Sequence, residues 1–213
     1  MNMVWLRRAS VVLTFVLVAC GSPGTSTTGA ADTSLSSRLL SGDDIPAGYQ
    51  RLPLVADVTR RWCGVGLLNT PRPLRRSSLV LMSQPDDATQ AVLTNTVMVF
   101  APGDATRFVS ALRRDERSCN RPQVLLPNGL SINGDYFAIG LPRGGDEQLV
   151  MDVRGVARGP ALRTVCGGAL ARIVVRRADV VVVIEDAVAG IQLDTGFRNR
   201  LAMRAAEQAE LGP

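Results

Sequence analysis

Five consecutive β-branched residues, Val180-Val181-Val182-Val183-Ile184, constrain this chain more than any other segment. Such a run has no polar side to turn toward water. Left exposed it would pair with other copies and aggregate, so it is predicted to be a central strand covered on both faces. Two helical patterns stand out. After Asp104, read as an N-cap, Ala105, Phe108, Val109 and Leu112 fall on one helical face. Arg113, Arg114 and Arg117 follow in the last turn, where cations suit the helix dipole, which predicts a helix over 104–117. Phe197, Leu201, Ala205 and Ala209 recur at every fourth position and predict a C-terminal amphipathic helix from near Asp194.

Further strands are expected at 52–59, 79–82, 97–101, 136–141, 148–156 and 170–175. A short helix is expected at 36–40, and turns at 43–48, 143–146 and 176–179. Strands joined by short turns and interrupted by isolated helices argue for an α+β fold: a single domain, mainly an antiparallel sheet with packed helices. No internal repeat is evident.

The N-terminal segment points to export. Arg7 and Arg8 precede an apolar stretch over 11–19, the layout of a secretory signal. That stretch is shorter than the roughly 20 residues a spanning helix needs. It ends Leu17-Val18-Ala19-Cys20, which resembles the bacterial lipobox: an aliphatic residue, a small residue before the cut, and a cysteine whose thiol is alkylated by diacylglycerol. Residues 21–34 are Gly, Ser, Pro, Thr and Ala with one charge, Asp32, a composition unable to bury a core. The expected organisation is a lipoprotein signal peptide over 1–19, a lipidated tether over 20–34 and a folded domain over 35–213. Two or more acyl chains make such an anchor durable. The expected location is the extracytoplasmic face of the cell membrane.

Composition removes several chemistries. Histidine is absent, and every one of the 24 basic residues is arginine. No Ser-His-Asp triad, Cys-His pair or histidine metal site can form, and a P-loop or Schiff-base lysine is excluded. Of those 24 arginines, two leave with the signal, so 22 against 19 acidic residues gives the mature chain a mild charge of +3. Export removes nucleic acid as a partner, and aromatics are only 4 %, too few for stacking platforms. No cofactor and no metal are expected.

Gly144-Gly145-Asp146-Glu147-Gln148 resembles the hairpin signature of diguanylate cyclases, but that chemistry needs cytoplasmic GTP and the terminal Phe is Gln148 here; a Gly-rich turn is expected. Gly64-Val65-Gly66 is half of a dinucleotide fingerprint, with Asn69 where the last glycine belongs. Carboxylate pairs at Asp43/Asp44, Asp86/Asp87, Asp146/Glu147 and Glu185/Asp186 would suit glycoside cleavage only if two faced each other across a groove. Arginine pairs at Arg60/Arg61, Arg75/Arg76, Arg113/Arg114 and Arg176/Arg177 would suit phosphate or carboxylate if they converged.

Beyond Cys20 the chain has Cys63, Cys119 and Cys166. Outside the membrane one bridge is allowed, with one thiol left over. Cys63–Cys119 is the expected pair, tying the segment before the sheet to the end of the 104–117 helix; three buried free thiols are the alternative. Two stretches then carry a resemblance. Residues 97–119 read as a strand, a helix with Phe108-Val109, and a closing cysteine. Residues 166–183 read as Cys166, then Ala169-Leu170-Ala171, Asp179 and the valine run, with an Ala/Arg-rich helix beyond. Together they resemble the extracellular sensor domain of PknH-type actinobacterial receptor kinases, which also occurs on stand-alone lipoproteins. The resemblance implies a mixed sheet with helices, a ligand cleft and two disulfides, one of them Cys63–Cys119. Cys166 would open the second, but no cysteine stands at 186–189 to close it.

The expected function is a non-enzymatic, membrane-anchored binding or sensor-like lipoprotein. Its ligand would be a small molecule, an envelope component or a protein. A lipid carrier with an enclosed apolar pocket is the second expectation, and a carboxylate-based hydrolase the third.

Overall fold

The computed structural model describes residues 33–52, 70–83, 89–126, 129–137, 139–160, 162–191 and 194–211. They belong to one unit, Ala31–Pro213. In chain order the elements are α1 (Thr33–Ser36), a 3-10 turn (Gly42–Asp44), β1 (Tyr49–Arg51), β2 (Arg75–Ser83), β3 (Gln90–Val99), α2 (Asp104–Ser118), β4 (Gln123–Leu125), β5 (Ser131–Phe137), β6 (Glu147–Arg158), β7 (Cys166–Arg177), β8 (Val180–Ala189) and α3 (Thr195–Glu210). The eight strands form one sheet in the order β1-β2-β3-β8-β7-β6-β5-β4, and every neighbouring pair is antiparallel. Two meanders, β1 to β3 and β4 to β8, are thus linked through α2 and sealed where β8 returns beside β3.

The valine run forms the first half of β8, an interior strand with both faces covered. Val181 and Val183 lie in the core under α2 with Phe100, Phe108, Val109 and Leu112. Val180, Val182 and Ile184 lie in the opposite core with Leu201, Ala202, Ala205 and Ala209 of α3 and with Leu35, Leu39 and Leu40 near α1. Full burial of each such side chain is worth about 1.5–3 kcal/mol. Alanines on the inner side of α3 let the helix lie close to the bulky β-branched strands. An amide pair crosses that interface: Asn95 Nδ2 donates to Gln208 Oε1 at 3.1 Å, and Gln208 Nε2 donates back to Asn95 Oδ1 at 3.3 Å. Asn95 Oδ1 also accepts from the Leu40 amide at 2.9 Å, which fixes the segment after α1 against the sheet.

The sheet is longer than the apolar pattern predicts. β2, β3 and β8 run through Ser77, Ser78, Thr94, Asn95, Thr96, Glu185 and Asp186, all buried and all hydrogen-bonded to other side chains. The three-residue strands β1 and β4 are too short to leave a periodic signal, and β5 stops at Phe137 rather than 141. Most of the strand expected over 52–59 lies outside the described residues; the Leu52 amide donates to the Val80 carbonyl at 2.9 Å. Asp104 is the first residue of α2 rather than its cap, and Gly103, at φ 80°, holds the N-cap position. Asp194 is the N-cap of α3 and accepts from the Phe197 amide.

A row of glycines bends the sheet. Gly134, Gly155 and Gly168 stand opposite one another on β5, β6 and β7, on the face that packs against α2. A Cβ on Gly155 would lie 2.1 Å from the Asn133 carbonyl oxygen, and one on Gly134 would lie 2.0 Å from that of Arg154. Without side chains there, the backbones close on the inner side and the sheet curls. The outer side of the bend is correspondingly open.

Candidate functional site

Two buried ion-pair systems occupy opposite faces of the central strands. On the α2 face, Glu185 accepts from Arg172 Nε at 2.7 Å and from Thr94 Oγ1 at 3.0 Å. On the α3 face, Asp152 of β6 and Asp186 of β8 flank Ala171 of β7 in one cross-strand row. The short Ala171 side chain leaves room for the Arg198 guanidinium, which reaches down from α3. Arg198 Nε donates to Asp186 Oδ2 at 2.8 Å, Nη1 to Asp152 Oδ1 at 3.1 Å, and Nη2 to the Asp186 carbonyl at 3.3 Å. Burial pushes the Asp186 carboxyl above its usual range, and Arg198 opposes that push.

Arg154 continues the chain of charges outward. Its Nε and Nη2 both bind Asp152 Oδ2, at 3.0 and 2.9 Å. Its guanidinium carbon lies 5.1 Å from the centre of the Phe137 ring, a cation–π contact. The guanidinium is therefore fixed in position and orientation while its side chain stays 43 % exposed. It borders an open groove of about 450 Å³ on the outer side of the bend, lined by Arg154, Gly155, Gly167, Gly168, Gly190 and Ile191. Phe137, Val156 and Ile191 are exposed apolar side chains on or beside this groove. A fixed cation beside an apolar, side-chain-poor groove can seat a flat or extended group that carries a carboxylate or phosphate.

No family model, no curated protein and no solved structure matches this chain. Its chemistry must be read from these residues.

The motifs singled out in the sequence fall elsewhere. Asp146 and Glu147 border another groove, but arginines occupy both: Arg176 reaches Asp146 at 3.3 Å and Glu147 at 3.1 Å, and Arg113 reaches Glu147 at 2.8 Å. The Ala178 amide also donates to Asp146 at 2.7 Å, holding Ala178 at φ 49°. The Gly-rich turn is thus a structural knot: one member of each of two arginine pairs, Arg113 and Arg176, binds its carboxylates, while Arg177 pairs with Glu210. Asp44 binds Arg204 at 3.0 Å. Glu185 and Asp186 point to opposite faces, each onto its own arginine. Arg60, Arg61, Gly64, Gly66, Asp86 and Asp87 lie outside the described residues. A larger open groove, of about 650 Å³, runs along α2 beside Thr70 and Pro71, where Asp104 pairs with Arg107. Among the described residues no cluster of three metal-ligating side chains occurs. Cys119 is disulfide-bonded and Cys166 is a half-buried free thiol; Cys63, the expected partner, and Cys20 lie outside the described residues.

Asp152, Arg154, Arg172 and Arg198 were not singled out from sequence. A signal for them exists: single charges of opposite sign interrupt otherwise apolar strands, in Val150-Met151-Asp152-Val153 and Ala171-Arg172-Ile173-Val174. Charges in such runs are paired or they destabilise the fold.

Tyr49 reports on the network. Burial and the nearby negative charge of Asp186 push its phenol up to about 12. Tyr49 should therefore ionise late, and a Tyr49→Phe chain should lose that late step of the phenolate absorbance titration. The sign follows from the raised value: Tyr49 contributes stability in full below its ordinary value of 10.0 and loses it as pH climbs toward 12. Asp186→Asn should move the step earlier. A late step unmoved by Asp186→Asn would mean that Asp186 carries no charge in the folded protein.

Proposed function

We propose that this chain is a lipid-anchored, extracytoplasmic binding protein, without enzymatic activity, that takes a small anionic ligand in the groove beside Arg154. The lipid anchor rests on the signal-like N-terminus and Leu17-Val18-Ala19-Cys20. The binding reading rests on one observation: Arg154 is held by buried Asp152 and by the Phe137 ring at the edge of an open groove. The interior carboxylates favour binding over hydrolysis. Asp152, Glu185 and Asp186 are each bound by arginine, so none is placed to exchange protons with a substrate. A lipid carrier would be favoured by an enclosed apolar cavity, and the groove at Arg154 is open.

NMR titration of the mature chain with acetate, benzoate and inorganic phosphate tests the binding site. At least one of these anions should shift the amides of Gly167, Gly168 and Gly190 with saturation. Benzoate should outcompete acetate because Phe137 and Ile191 offer apolar surface. Arg154→Ala should weaken the response by about tenfold, the usual worth of one charge-assisted contact. Asp152 keeps Arg198 in that variant, so the fold is retained. Identical titrations for wild type and Arg154→Ala would refute the site.

A further inference from the structure

The two ends of the sheet differ in a way that bears on how an anchored domain would stand on its membrane. Arg75, Val99, Val180 and Arg177 form one continuous cross-strand row at the end of β2, β3, β8 and β7. The described chain enters at this end, where Arg75 Nη1 donates to Ser34 Oγ at 3.4 Å and Ser36 and Ser77 share a hydroxyl hydrogen bond at 3.0 Å. Immediately before the row comes Pro71-Arg72-Pro73-Leu74-Arg75-Arg76. Leu74 is 68 % exposed, yet its amide donates to the Val99 carbonyl at 2.8 Å, so an apolar side chain is held out in a defined place. Arginines flank it on both sides. Across the same end, Arg177 pairs with Glu210 at the close of α3, and Leu211 beside it is 65 % exposed. Two protruding leucines and a basic segment thus share the end at which the chain enters.

We infer that this end is the face the domain lays against the bilayer, with Leu74 entering the headgroup layer and Arg72, Arg75 and Arg76 meeting anionic lipid phosphates. The inference rests on the lipid-anchor reading above and adds an orientation to it. Thirteen residues separate Cys20 from Ser34. Fully extended, a chain of that length reaches at most about 50 Å. The strand β8 alone runs about 30 Å from Val180 at this end to Ala189 beside the Arg154 groove. Because the anchored segment joins the domain at the Leu74 end, that end is about one strand length closer to the point of attachment than the opposite one. Proximity raises the local concentration of the bilayer, so a contact too weak to recruit the domain alone is still made. Arginine supplies the charge complementarity, since each basic residue near an anionic surface adds to attraction within a Debye length. The prolines on either side of Arg72 limit the backbone freedom lost on contact. The Arg154 groove then opens toward the envelope, accessible to a soluble ligand.

Depth-dependent fluorescence of the mature, acylated protein in bilayers tests this. Leu74→Trp and, at the far end of the sheet, Val156→Trp are each placed in vesicles of brominated phosphatidylcholine with phosphatidylglycerol, and wild type supplies the background of Trp62. The added emission of Leu74→Trp should fall by about half and that of Val156→Trp by less than about a tenth. Replacing phosphatidylglycerol with neutral lipid, or Arg72 and Arg75 with Glu, should cut the Leu74→Trp quenching about threefold. Equal quenching at the two positions, or none at Leu74→Trp, would overturn the orientation. The mass of the N-terminal peptide reads the anchor separately. An acylated Cys20 with no quenching at position 74 sinks the orientation alone, whereas an unmodified Cys20 sinks both readings.

Discussion

An Arg198→Ala chain should lose about 3–5 kcal/mol of stability, the cost of stranding buried charge after one partner is removed. Asp186 and Asp152 are 4 % and 1 % exposed, so neither can turn to water. Asp152 would retain Arg154, but Asp186 would keep no cation in contact among the described residues. Urea unfolding at neutral pH reads the loss as a lower midpoint with an unchanged slope. The pH dependence identifies the cause. Burial already raises the Asp186 carboxyl in the native protein, and loss of Arg198 raises it further. A carboxyl raised in the folded state holds its proton longer there than in the unfolded chain, so stability falls as pH climbs through that range. The defect should accordingly shrink in mild acid, and adding Asp186→Asn to Arg198→Ala should recover much of the loss at neutral pH. A deficit below about 1 kcal/mol, the worth of a surface pair, would mean that Arg198 does not clamp α3 to the sheet.

That clamp shows where sequence reading stops. The amphipathic stripes of α2 and α3 and the valine run of β8 were legible because each obeys one period and buries what it marks as apolar. Phe108, Val109 and Leu112 pack on one face of the sheet, and Leu201, Ala205 and Ala209 on the other. Strand ends were not legible where the chain buries polar residues in pairs. Asn95 looks like a break in β3 until Gln208, far along the chain, is placed beside it. Glu185 and Asp186 look like a turn after the valine run, yet β8 continues through them because Arg172 and Arg198 wait on opposite faces. Register brings such partners together, and register is set by the whole sheet rather than by any window of sequence. The Arg154 groove was hidden for the same reason. Its residues come from β6, β7 and the end of β8, and none belongs to a motif with a fixed spacing.

Glycine substitution along the bend should separate its structural side from its binding side. In Gly155→Ala the new Cβ would stand 2.1 Å from the Asn133 carbonyl oxygen and 2.5 Å from the Gly134 Cα, both backbone atoms on the paired strand. No rotamer relieves a clash with backbone, so β5 and β6 must part and lose ladder hydrogen bonds. The expected cost is about 3 kcal/mol or more, the upper range for overpacking. Gly168→Ala meets the Ala157 Cβ at 2.6 Å, a side-chain atom on a neighbouring strand, and should cost less than Gly155→Ala. Gly167 lies one residue away but on the outer face, where an added Cβ meets nothing within 4 Å. Gly167→Ala should stay within about 0.5 kcal/mol of wild type, while Gly167→Leu fills the groove and weakens anion binding without unfolding the protein. Thermal or urea unfolding of the three alanine variants should rank Gly155 worst, Gly168 between and Gly167 least affected. If Gly155→Ala melted with wild type, the curl would not depend on bare backbone at that corner. If Gly167→Leu bound the probe anions like wild type, the groove would not be where they sit.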